Sequence, residues 1–174
     1  MNITKEANLA AQWILDEKVI AYPTEGVWGI GCINNQSVIS KLSEIKQRPK
    51  DKKYILLFRS VDDLRKKFEV KKDYIKQIKE LSNSFTTIIV PLNKNNSIAV
   101  RIPKTEILQD LLEEVGEEIV STSANISGTE YTNNLKDICN TFKSNEVALF
   151  NHRLGGISKP SKIIMLKSKK VIRE

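Results

Sequence analysis

The chain has 174 residues, enough for one domain with a substantial core and short for two, and it contains no apolar run of membrane-spanning length. Its 40% hydrophobic content, spread over periodic segments, excludes a disordered polymer. A net charge of +7, from 28 basic and 21 acidic residues, invites a polyanionic partner without specifying one.

The start, Met1-Asn2-Ile3-Thr4-Lys5-Glu6, lacks the basic-then-apolar layout of a secretory leader, so a cytoplasmic protein with one domain over 1–174 and no membrane association is expected. Cys32 and Cys139 have neither metal-type nor redox-type spacing and read as reduced thiols. His152 is the single histidine, which excludes a histidine-rich zinc site. A Ser-His-Asp hydrolase would depend on His152, and no Gly-x-Ser-x-Gly elbow accompanies it.

Thr4 is positioned to cap a first helix carrying Ala7, Ala10, Ala11, Ile14 and Leu15 at helical spacing. Val19 to Tyr22 reads as a buried strand ended by Pro23, and Val27 to Cys32 as a second extended segment. Helical spacing returns through Val38, Ile39, Leu42 and Ile45, and Pro49 opposes its continuation past Arg48. The apolar run Tyr54 to Phe58 predicts a strand covered on both faces. Ser60 heads a helix from Val61, in a stretch whose cations Arg65, Lys66, Lys67, Lys71 and Lys72 read as a solvated face without interleaved aromatics. A helix over Tyr74 to Leu81 follows, then strands at Thr86 to Val90 and Ile98 to Arg101. Thr105 precedes a helix with Ile107, Leu108, Leu111 and Leu112. Ile119 to Ser123 is a strand, Leu135 to Phe142 a helix, and Val147 to Phe150 and Lys162 to Leu166 are the last strands. This intermingling predicts a single α/β domain around one mixed sheet.

Three segments carry chemistry. In Lys46-Gln47-Arg48-Pro49 the proline biases Arg48 towards extended geometry, which would put the two cations on one face, suited to phosphate or carboxylate oxygens. A basic helix C-terminus facing the helix dipole explains the same residues. In Ser121-Thr122-Ser123-Ala124-Asn125-Ile126-Ser127-Gly128, an extended chain would align Ser121, Ser123 and Asn125 on one face, a row able to bind phosphate and ribose oxygens. A polar strand end with ordinary turn chemistry is the plainer account. In Pro23-Thr24-Glu25-Gly26, Thr24 and Glu25 lie at a strand's C-terminal edge. Thr24 either fixes a substrate or caps a turn; Glu25 either meets an ammonium or a magnesium-bound water, or is a surface charge. Arg101 either supplies a third cation to a pocket or pairs with a structural carboxylate, and Ser161 heads a strand.

In order, these segments resemble the YrdC/TsaC family of threonylcarbamoyl-AMP synthases in its short form, from about Ile20 to Arg173. The carriers are Tyr22-Pro23-Thr24-Glu25 with Gly29-x-Gly31, Lys46-Gln47-Arg48-Pro49, Val100-Arg101-Ile102-Pro103, the octapeptide and Pro160-Ser161. The resemblance implies a twisted sheet, mixed parallel and antiparallel, flanked by helices and holding a basic cavity. It implies a nucleotidyltransferase that joins L-threonine, bicarbonate or CO2, and ATP with Mg²⁺ into threonylcarbamoyl-adenylate and pyrophosphate. Downstream transfer proteins then load the threonylcarbamoyl group onto adenosine 37 of tRNA.

By position, Lys46 and Arg48 match the family's charge-neutralising pair, and Ser123 and Asn125 its Ser-x-Asn. Thr24 matches a threonine-binding residue; Thr87, Arg101, Ser121 and Ser161 match pocket residues. Two stretches depart from the pattern. Ser82-Asn83-Ser84-Phe85-Thr86-Thr87 replaces Trp-Pro-Gly-Pro-x-Thr, keeping Thr87, and Ser161-Lys162-Ile163-Ile164-Met165 replaces Ser-Thr-Val-Val-Asp. The altered loop and the net charge motivate an alternative, a double-stranded RNA or tRNA-binding module of the same fold without catalysis.

Overall fold

The computed structural model describes residues 1–49, 52–143 and 146–174. β1 (Ile3–Thr4) leads into α1 (Ala7–Leu15), whose Ala10, Ala11 and Ile14 are buried. The expected Thr4 cap does not form. Thr4 lies in β1, its Oγ1 accepts the Glu6 N–H at 3.0 Å, and Glu6 occupies the N-cap position without a side-chain bond. β2 (Val19–Pro23) and β3 (Trp28–Ile33) pair antiparallel across a turn at Thr24–Val27. α2 (Gln36–Ile45) is capped by Asn35, whose Oδ1 accepts the Ser37 N–H at 2.9 Å.

β4 (Ile55–Leu57) precedes α3 (Val61–Lys67), where Ser60 caps as expected by accepting the Asp63 N–H at 3.1 Å. α4 (Lys72–Leu81) leads to β5 (Thr86–Pro91) and its antiparallel neighbour β6 (Ser97–Arg101). Thr105 takes the N-cap position of α5 (Glu106–Val115), but its Oγ1 is buried without a partner among the described residues. β7 (Ile119–Ser123), α6 (Leu135–Thr141), β8 (Val147–Phe150), β9 (Lys162–Met165) and β10 (Val171–Arg173) complete the chain.

The sheet has ten strands in the order β1-β8-β2-β3-β7-β4-β6-β5-β9-β10. Parallel pairs (β1·β8, β8·β2, β4·β6, β5·β9) mix with antiparallel ones, as expected. Alternation along each strand sorts side chains into two layers. Ile20 and Tyr22 pack with α1 and α5 on one face; Val19 and Ala21 pack with α2 and α6 on the other. Further along, Val100, Ile88 and Val90 meet α3 and α4 on that second face. On the first face α1 and α5 reach only as far as Leu57 and Ile119. The remaining alternate residues of β7, β4, β6, β5 and β9 floor a cavity. Ile55 belongs to that floor and is half-buried, so β4 is not covered on both faces as its apolar run predicts.

Candidate active site

The cavity encloses about 460 Å³, within the range of small-molecule sites. Its floor carries Ser121 and Ser123 from β7, Arg101 from β6, Thr87 from β5, and Ser161 just before β9. Buried hydroxyls there are paired with one another. Ser121 accepts the Tyr22 hydroxyl at 2.7 Å, and Thr87 and Ser161 share a bond of 2.8 Å. Thr24 lines the rim but is committed to its turn. Its Oγ1 donates to the Val27 carbonyl at 2.7 Å and receives the Gly26 and Val27 N–H groups at 3.3 Å, the turn-capping alternative.

Arg101 is buried, stacked over Phe85 at 4.7 Å, and paired with Glu25. Burial opposes its charge and Glu25 supports it. Glu25 is therefore neither a surface charge nor open to a metal-bound water. One carboxylate oxygen meets Arg101 and the other accepts the Lys104 N–H at 2.8 Å. Among the described residues no group of three or more His, Cys, Asp or Glu side chains could hold a metal ion, so those residues form no resident metal site of their own. Arg101 Nε is buried without a hydrogen-bond partner among the described residues.

The two cations of Lys46-Gln47-Arg48 do not share a face. Lys46 is helical (φ −86°, ψ −6°) and Gln47 is left-handed (φ 51°). Gln47 N–H bonds the Glu44 carbonyl at 3.0 Å and Arg48 N–H the Ser43 carbonyl at 2.8 Å, a Schellman ending to α2. This turn sends Lys46 inward and Arg48 into the cavity. Lys46 is 1% exposed, and its ammonium donates to the carbonyls of Ser123 and Asn125, each at 2.5 Å. Burial, and then the charge of Arg48, bring its pKa from 10.5 down to about 7. Arg48 lines the cavity, lying over Tyr54 at 4.6 Å and donating to the Lys53 carbonyl at 2.8 Å.

The serine–asparagine row is also broken. β7 stops at Ser123, whose Oγ donates to Asn125 Oδ1 at 2.6 Å. Asn125 Nδ2 turns to the carbonyls of Ile126 and Thr129, so its side chain braces the turn behind the cavity wall. The structure thus brings Thr24, Arg48, Thr87, Arg101, Ser121, Ser123 and Ser161 to one cavity, with Lys46 and Asn125 behind it. It adds Lys53 and Arg173 to the lining. Arg173 donates through Nε to the Ser161 carbonyl at 2.9 Å. Neither carries a signal of its own in the sequence; Arg173 sits in a short exposed strand. Four cations and no carboxylate line the cavity among the described residues.

The family model Sua5/YciO/YrdC, described as telomere recombination, matches residues 12–174. The chain belongs to that family. The threonylcarbamoyl-AMP synthase of Marinobacter nauticus is 33% identical over 168 residues, covering 90% of this chain and 88% of its own. That of Aliivibrio fischeri is 29% identical and covers 98% and 99%. Among solved structures, E. coli YciO superposes with a TM-score of 0.81 at 25% identity, over 99% of this chain and 93% of its own. P. abyssi Sua5 complexed with L-threonine gives 0.82 at 24% identity over 95% of this chain, which spans only 54% of that protein. The Sua5/YciO/YrdC fold is therefore this mixed sheet, and its open face in this member is the cationic cavity.

Proposed function

We propose that this chain is a threonylcarbamoyl-AMP synthase, a nucleotidyltransferase that uses the cavity to join L-threonine, bicarbonate and ATP. The observation that supports it most is the convergence of Arg48, Lys53, Arg101 and Arg173 on one floor of hydroxyls in a chain whose relatives bear that name along nearly their whole length. Arg101 is neutralised by Glu25, so it acts as an oriented donor more than as a charge, suited to the threonine carboxylate near Thr24. Arg48, Lys53 and Arg173 pair with no carboxylate among the described residues and are the groups for the triphosphate.

The threonine amine attacks the carbon of bicarbonate or CO2, with loss of water in the former case, giving a carbamate. A carbamate oxygen then attacks the α-phosphorus and pyrophosphate leaves. No covalent enzyme intermediate is required. The chain contributes alignment and neutralises charge that develops on the phosphates. Magnesium enters as the counter-ion of the triphosphate substrate. Lys46 and Asn125 serve by holding the Ser123 turn in place. The adenylate is passed to downstream proteins that act on tRNA in the cytoplasm. Among the described residues no helix is long and apolar enough to cross a membrane.

The test is pyrophosphate release from ATP by purified protein. Release that needs both L-threonine and bicarbonate is expected. In Arg48→Ala a loss of about 30- to 1,000-fold in kcat/KM is expected, the range for one preorganised donor. Release independent of threonine, or absent from folded protein, overturns the proposal.

A further inference from the structure

The cavity wall holds one aromatic ring that nothing else explains. Tyr131 lines the cavity yet is 41% exposed, and no hydrogen bond or ring contact is formed by its side chain among the described residues. The other lining aromatics are committed: Phe85 lies under Arg101 at 4.7 Å, and Trp28 is buried in the core. Residues on either side of Tyr131 are tied down. Asn125 Nδ2 holds the Thr129 carbonyl at 2.7 Å, and Thr132 bonds Asp137 at 3.1 Å and the Asn134 N–H at 3.0 Å. The ring is free while its anchor is fixed. Ile172 and Arg173 line the same cavity.

We propose that Tyr131 is the platform on which the nucleobase of the bound nucleotide stacks. A nucleotide in this cavity has an anionic end, met by cations, and one large uncharged planar group that needs a flat apolar face. Tyr131 is the accessible aromatic face among the described lining residues, and Ile172, 51% exposed, supplies apolar surface to the same cavity. The proposal rests on the synthase reading for the identity of the nucleotide, and on the exposed ring for its placement.

Equilibrium binding of ATP and of inorganic tripolyphosphate to the wild type, Tyr131→Ala and Tyr131→Phe tests it. Tyr131→Ala is expected to weaken ATP by about tenfold or more, the size of one lost base–aromatic stack, and to leave tripolyphosphate binding unchanged. Tyr131→Phe is expected to bind ATP as the wild type does. An unchanged ATP affinity in Tyr131→Ala, or an equal loss for tripolyphosphate, overturns the platform and leaves the synthase reading standing. A folded wild type that binds no ATP overturns both.

Discussion

Lys46 shows how one turn redirects a residue's chemistry. Its ammonium, tied to two carbonyls in the interior, has a folded pKa near 7 against 10.5 when free. Between those values the unfolded chain holds the proton more readily than the folded one, so stability rises with pH across that window. Relative to Lys46→Met, the wild type should gain about 1 kcal/mol per pH unit between roughly pH 7.5 and 9.5, read from urea unfolding. A slope shared by both proteins would place the titration elsewhere. Glu25 gives a second test at this scale. Glu25→Gln leaves Arg101 buried without its counter-charge and is expected to cost about 3–5 kcal/mol of stability. The sequence presents Arg101 with a structural carboxylate as one alternative, but not which carboxylate. Glu25 is 76 residues away, and only the sheet brings them together.

At the level of elements, the strands that floor the cavity are legible in the sequence as short runs rich in β-branched and apolar residues, at Thr86–Val90, Ile98–Arg101 and Ile119–Ser123. β1 and β10 escape it. With two and three residues and exposed positions at Ile3, Val171 and Ile172, they are defined by their partners, β8 far along the chain for β1 and the adjacent β9 for β10. The α2 ending escapes for another reason. A left-handed C′ residue is usually advertised by glycine, and here it is Gln47. Its conformation is set by the Lys46 and Arg48 contacts on either side. Gln47→Gly should therefore stabilise the fold by about 0.5 kcal/mol, backbone strain relieved minus unfolded-state entropy, whereas Gln47→Val should destabilise it by more than about 1 kcal/mol. Thermal unfolding of the two variants in opposite directions is the check.

Across the whole molecule, charge and topology act together. The net charge of +7 is spread over the surface, yet the part that matters here is the set of cations gathered on the uncovered half of one sheet face. The family pattern marks Arg48 and Arg101, while Lys53 and Arg173 join them only through the strand order. The Thr24–Glu25 dipeptide is where distant segments meet. Its two carbonyls accept the N–H groups of Gly155 and Ile157 at 2.9 Å each, while the Glu25 carboxylate takes the Lys104 N–H and Arg101. Gly155 packs so closely that a Cβ there would lie 2.7 Å from the Glu25 Cα. The segment from Asn151 to Ser161 has no regular structure, but it is stitched into the β2–β3 turn like one more strand. In deuterium its Gly155 and Ile157 amides should therefore exchange slowly and in step with Lys104, as one cooperative unit. What looks like a loose loop would then behave in solution as a fixed part of the frame that holds Glu25 against Arg101.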